Sequence, residues 1–252
     1  MTARPDGWLW QAPDASSRPI IVVHFPHAGG SSVSYRSWIR LYPVDLGFLS
    51  VELPGRGLRS GEPAAESIDA AADVIARELA PWSGHLIILF GHSMGALLAF
   101  EVARRAPHHG WEAARLVVSG SRAPSEDLGR PRIAHLDDAV FGGRAVELGL
   151  APAAIVADAE LAELFLKPLR ADLALCEGYP WGRTEPIPVP LSVINGRGDH
   201  LVPLSSASSW RQLSTRPGTS TILNGGHMFV ADAPRDVVEV VCAVARGLDR
   251  CR

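Results

Sequence analysis

Apolar residues in this chain fall into short uninterrupted runs instead of alternating with polar ones. Residues 20–25, 48–52, 86–90, 115–119 and 190–194 form the clearest runs, and 219–223 a weaker sixth. Runs of that length without alternation are expected of strands buried on both faces. Between them the apolar period lengthens to that of a helix, over 67–79 (ending near Pro81), 94–105 and 235–248. Strands alternating with helices predict an α/β fold with a mostly parallel, doubly wound sheet.

One stretch breaks the alternation. Between Ser119 and Pro190 lie roughly seventy residues without a convincing strand, too many for a structureless loop in a compact domain. Residues 137–148 and 158–177 within it carry a helical pattern, and Pro168 is expected to bend or split the second. The reading is one domain over 1–252 with a helical insertion at about 125–185. Placed over the C-terminal edge of the sheet, where such folds bind ligands, it would serve as a lid or pocket wall. The alternative is a helical decoration away from the site.

Composition narrows the function classes. The 252 residues are enough for a large core without disulfide or metal staples. A formal charge of −3 gives no sign of a nucleic-acid binder or polybasic membrane anchor. Lys167 is the one lysine among 24 basic residues. Cys176, Cys242 and Cys251 lack metal-ligand spacing, so no metal and no cofactor are expected. No run reaches the ~20 apolar residues of a membrane span, and the first residues lack a signal-peptide pattern. The expectation is a cytoplasmic protein, with neither membrane nor nucleic acid as partner.

The chemistry is concentrated in Gly91-His92-Ser93-Met94-Gly95, which joins an apolar strand to an alanine-rich helix. A G-x-S-x-G in that context marks a nucleophile elbow, with Ser93 as nucleophile. The glycines leave room for the backbone segments that such a turn crowds together. A serine hydroxyl needs a base and an acid that orients the base, in the order serine, acid, histidine in this fold. Of nine histidines, His227 lies in Asn224-Gly225-Gly226-His227 after the last strand, where it can swing over the sheet edge. Asp199 follows the 190–194 strand in a glycine-flanked loop and is the preferred acid; Asp172 and Asp232 are its rivals. The oxyanion hole would use two backbone N–H groups, those of Met94 and of Ala28 in Pro26-His27-Ala28-Gly29-Gly30, with His27 the near alternative.

Three of these segments resemble the type II thioesterases of polyketide and non-ribosomal peptide pathways, members of the α/β-hydrolase superfamily. They are Phe25-Pro26-His27-Ala28-Gly29-Gly30, Leu53-Pro54-Gly55-Arg56-Gly57-Leu58-Arg59 and the Gly-His-Ser-Met-Gly elbow. Pro168-Leu169-Arg170-Ala171-Asp172 and Gly225-Gly226-His227-Met228-Phe229 extend the similarity over nearly the whole chain. The resemblance implies hydrolysis of acyl groups held as thioesters on the phosphopantetheine arm of an acyl or peptidyl carrier protein. It implies the same triad and oxyanion positions. Arg36, Arg40, Arg56 and Arg59 could then meet an acidic carrier surface, although solvated surface charge accounts for most such residues. A carboxylesterase acting on free small esters remains the alternative.

Overall fold

The computed structural model describes residues 7–126 and 132–249. Residues 127–131, within the expected insertion, and Cys251 lie outside them. Seven strands form one sheet: β1 (Leu9–Gln11), β2 (Ile20–Phe25), β3 (Leu46–Val51), β4 (Leu86–His92), β5 (Arg115–Ser119), β6 (Leu191–Gly196) and β7 (Thr219–Leu223). Their order is β1-β3-β2-β4-β5-β6-β7, with β1 antiparallel and every other pair parallel. The α/β-hydrolase expectation of a mostly parallel sheet is met.

The unalternated runs have a direct cause. Ile21, Val23, Leu89 and Val118 point into one core, with α1 (Ile68–Leu79) and α2 (Met94–Arg105). Val22, Ile88, Phe90 and Val117 point into the other, with Trp38 and α8 (Pro234–Asp249). Each fully buried Val, Leu or Ile contributes roughly 1.5–3 kcal/mol, so burial on both faces selects the strand registers. Ser67 caps α1, its hydroxyl accepting from the Ala70 amide at 3.0 Å.

Between β5 and β6 the described chain is helical: α3 (Asp138–Glu147), α4 (Ala153–Ala157) and α5 (Ala159–Glu177). Of the bend or split expected at Pro168, the split does not occur: α5 runs through it as one helix. The carbonyl that Pro168 leaves unbonded is that of Leu164, a residue 74% exposed, where solvent can take it. The end of this segment is tied to α2 through Glu101, a carboxylate buried mid-helix. Glu101 accepts from the Tyr179 hydroxyl at 2.5 Å and from Arg104 at 3.2 Å, and pairs with Arg105.

Sequence reading missed β1, the 3-10 segment Ser32–Arg40, and the short helices α6 (Ser206–Gln212) and α7 (Phe229–Asp232). The helix α6 is serine-rich and has no apolar period. It is held by two buried residues: Ser206, whose hydroxyl donates to Glu126 at 2.8 Å, and Trp210, whose indole N–H donates to the Ser121 carbonyl at 2.7 Å.

The second core contains a histidine. His24 in β2 is fully buried, stacked on Phe48 with ring centroids 4.1 Å apart. Its Nδ1–H donates to the Leu49 carbonyl at 2.8 Å, and its Nε2 accepts from the Tyr42 hydroxyl at 2.9 Å. Burial pushes its pKa from 6.5 down to about 3, because no carboxylate offsets the lost hydration of the cation. Above the unfolded value neither state is protonated and the group is neutral to stability. As pH falls from about 6.5 towards 3, the unfolded chain takes up a proton that the native protein refuses. This histidine alone then removes about 1.4 kcal/mol of stability per pH unit. His24→Phe is expected to reduce the slope of unfolding free energy against pH, between pH 4 and 6, by one proton. Urea denaturation at several pH values measures it, and an unchanged slope would mean that the acid sensitivity lies elsewhere.

Candidate active site

Strand β4 ends in Gly91-His92, helix α2 begins at Met94, and Ser93 makes the whole turn. Its backbone has φ 55° and ψ −120°, and among the described residues it is the one non-glycine with positive φ. Such a conformation costs on the order of 1–3 kcal/mol and persists only where the surroundings enforce it. Here they do. A Cβ on Gly91 would lie 2.0 Å from the Gly95 carbonyl oxygen, and one on Gly95 would lie 2.2 Å from that of Phe25. Both glycines are therefore steric requirements of the elbow, as the sequence motif predicts.

The histidine and carboxylate expected to serve Ser93 converge on it. His227 Nε2 lies 3.1 Å from Ser93 Oγ, and His227 Nδ1 lies 2.9 Å from Asp199 Oδ2. A carboxylate accepts, so Nδ1 carries the proton and Nε2 is free to take the serine's. Both His227 and the Asp199 side chain are buried. The other carboxylate oxygen, Oδ1, accepts from the amides of Leu201 at 2.9 Å and Val202 at 3.1 Å. Burial pushes the Asp199 pKa up, but the His227 hydrogen bond and charge and the two amides outweigh it. The net effect holds the carboxyl below the usual range. Arg122 Nε–H donates to the Leu201 carbonyl at 3.1 Å, fixing the acid loop from β5. Gly196 and Gly225 let the β6 and β7 loops meet: a Cβ on Gly196 would lie 2.9 Å from the Gly225 carbonyl.

A second histidine packs beneath the first. The His92 ring lies 5.2 Å from that of His227, fully buried, and its Nδ1 is 3.0 Å from the Ser119 hydroxyl. Burial first, then the neighbouring His227 and His27, depress its pKa well below 6.5. It is a neutral packing surface for the His227 imidazole.

The Ala28 loop lies against the same turn, because Gly95 admits the Phe25 and Pro26 carbonyls. As first residue of α2, Met94 has an amide with no carbonyl one turn back. Ala28, Ser93, Met94 and His227 line one cavity of about 480 Å³, with Leu148 and Leu173 of the inserted segment on its wall. Helix dipole and free amides together suit this cavity to a developing oxyanion. Among the described residues no cluster of three or more His, Cys, Asp or Glu could hold a metal ion. None of the helices among them is long and apolar enough to cross a membrane.

The rival acids and two of the arginines considered for a surface contact are placed as follows. Asp172 is not near the histidine: it is fully buried in α5 and paired with Arg56. Arg56, considered for a surface contact, is 5% exposed. Asp232 is exposed in α7. Arg59 is occupied by Glu62, with Nε 2.8 Å from Oε1, and by the face of Trp8, with centroid 5.0 Å away. Arginine's length lets it reach a buried carboxylate from a loop, and residue type alone does not distinguish that from a surface position. The recurrence of Arg56 and Asp172 inside the two family-like motifs was the available signal.

The thioesterase domain family matches residues 20–244. The AMB antimetabolite synthetase AmbE of Pseudomonas aeruginosa is 34% identical over 94% of this chain, which spans about a tenth of that protein's length (11%). The thioesterase PikA5 of Streptomyces venezuelae is 36% identical over 92% of this chain and 85% of its own. Among solved structures, YbtT, a type II thioesterase from the yersiniabactin NRPS/PKS pathway, superposes with a TM-score of 0.83 at 27% identity. That match covers 93% of this chain and 96% of the other.

Gly95→Ala is expected to destabilise the protein by more than about 3 kcal/mol, since the methyl group meets a backbone oxygen that cannot move independently. Gly143→Ala, in α3 with nothing within 4 Å, is expected to be neutral or slightly stabilising. Chemical denaturation of the pair tests the steric account; equal effects would contradict it.

Proposed function

The chain belongs to the thioesterase domain family, and from that premise we propose that it is an editing thioesterase of the type II kind. In this reading it removes acyl groups from the phosphopantetheine arm of acyl or peptidyl carrier proteins in polyketide or non-ribosomal peptide synthesis. The observation that carries the proposal is the continuous hydrogen-bonded line Ser93–His227–Asp199 beside a cavity roofed by the inserted helices. The similarity to YbtT, itself a type II thioesterase, supports it.

The steps follow from the geometry. His227 Nε2 takes the Ser93 proton as Oγ attacks the thioester carbonyl, while Asp199 holds the Nδ1–H tautomer and balances the imidazolium. The amides of Ala28 and Met94 receive the oxyanion. Collapse breaks the carbon–sulfur bond, and the proton on His227 goes to the departing thiolate. Water, deprotonated by the same imidazole, attacks the Ser93 ester and releases the acid, restoring Ser93–OH. A thiolate leaves more readily than an amine, so general-acid assistance matters less than it does in proteolysis. The inserted helices, the lid of this reading, supply apolar wall for the acyl chain and admit the carrier-borne arm.

Ser93→Ala is expected to abolish turnover, and Asp199→Asn to lower kcat by about 10⁴-fold through loss of the productive tautomer. Steady-state hydrolysis of an acyl group on a carrier protein, beside the matching free thioester and a nitrophenyl ester, measures the substrate class. Preference for the carrier substrate supports the reading. Preference for the nitrophenyl ester without carrier turnover would replace it with a carboxylesterase. Retained activity in Ser93→Ala would overturn the nucleophile.

A further inference from the structure

The buried ion pair between Arg56 and Asp172 is not used by the chemistry above. Desolvating two charges costs several kcal/mol per ion, which pairing offsets only when every oxygen and proton finds a partner. A packed apolar pair would serve stability as well. The placement of the partners shows what the charges do instead.

Asp172 Oδ1 accepts from Arg56 Nη2 at 2.6 Å. Asp172 Oδ2 accepts from Arg56 Nη1 and from the Gly29 backbone amide, the latter at 2.8 Å. Arg56 Nη1 also donates to the Gly30 carbonyl at 3.1 Å. Half of these partners belong to the loop that carries Ala28. In that loop the His27 carbonyl accepts from the Gly30 amide at 2.9 Å, and the Ala28 carbonyl accepts from His27 Nδ1–H at 3.0 Å. The peptide 27–28 therefore has its oxygen held by Gly30, and its N–H, which is that of Ala28, must point the opposite way. The peptide 28–29 is held at its N–H by Asp172 and at its oxygen by His27. Two peptides further on, the Gly30 carbonyl is held by Arg56. Gly29 sits at φ +76° with its Cα face against Leu169, one turn before Asp172 on α5.

We propose that Arg56 and Asp172 are positioning residues of the oxyanion hole, fixing the direction of the Ala28 amide from the inserted helix α5. Two charges are needed for two reasons. The carboxylate orients the Gly29 N–H more strongly than a neutral acceptor does. A lone carboxylate one residue from the oxyanion donor would oppose the developing charge, and the bidentate guanidinium neutralises it. The assignment also makes Leu169 and Asp172 the part of the inserted segment that is tied to the Ala28 loop.

This inference rests on the proposed oxyanion role of Ala28. The test uses Asp172→Asn, which leaves an acceptor for Gly29 but removes the charge, and the double variant Arg56→Met/Asp172→Leu, which fills the space with apolar side chains. Each is assayed for thermal unfolding, kcat and KM on a carrier-bound or free thioester, the pH profile, and affinity for an alkyl boronic acid as oxyanion mimic. The expected result is folded protein with kcat lowered 10- to about 10²-fold, in the range for disturbing one oxyanion donor. KM should change less than about threefold, and boronate affinity should fall in parallel with kcat. The pH profile should keep its position, because the His227–Asp199 pair is untouched. If the double variant unfolds, Asp172→Asn decides alone. Folded variants with wild-type kcat and boronate affinity would reduce the pair to a structural contact. A wild-type protein that turns over the thioester yet does not bind boronate would instead overturn the oxyanion assignment itself.

Discussion

The approach of α2 to the carbonyls of Phe25 and Pro26 is the constraint on which the site is built. It brings together two segments that are far apart in the chain, the loop after β2 and the turn after β4. Gly95 makes it possible, because any side chain there would collide with backbone oxygens. With the helix seated this low, Ser93 must take up an unfavourable φ, and its hydroxyl is lifted clear of the sheet. The same approach brings Ala28 and Met94 to one cavity. The Ser93 elbow and the proposed oxyanion donors are thus two results of one steric fact. Disturbing one disturbs the other.

The polar groups around this elbow are arranged with opposite intentions. His24 and His92 are buried without a carboxylate and held neutral, so they act as shaped, hydrogen-bonding parts of the packing. His227 differs in having a buried carboxylate on one nitrogen and a serine on the other. Burial alone does not make a histidine a base; the partner on its far nitrogen does. Asp172 and Asp199 show the same contrast among acids. One is saturated by a guanidinium and a backbone amide, the other by two amides and an imidazole, and only the second can stabilise a cation that comes and goes.

Much of this was legible in the amino-acid sequence. The parallel sheet followed from uninterrupted apolar runs, because residues facing both layers must be apolar. The elbow followed from glycine spacing, because close backbone contact tolerates no other residue. Ser93, Asp199 and His227 followed from chain order, and the geometry places them in line. What escaped was whatever depends on one or two long-range partners. Helix α6 is held by Trp210 and Ser206, β1 by the edge of β3, and Arg56 by Asp172, 116 residues away. None of these leaves a periodic trace. Pro168 does not split α5 for a related reason: a helix breaker is tolerated where solvent can take the orphaned carbonyl, and exposure is not written in the local pattern.

The order of strands in the sheet has a consequence for the way the protein is made. Ser93 and His227 lie 134 residues apart, and the histidine and its carboxylate depend on β6 and β7, the last two of the described strands. A chain emerging from the ribosome can seat α2 against β2, β4 and β5 and form the strained elbow early. It then carries Ser93 without His227 beside it. Closing the remaining loop costs entropy that only the completed sheet edge repays. The Ser93 hydroxyl therefore meets His227 only after β6 and β7 have joined the sheet, long after the turn that presents it has been made.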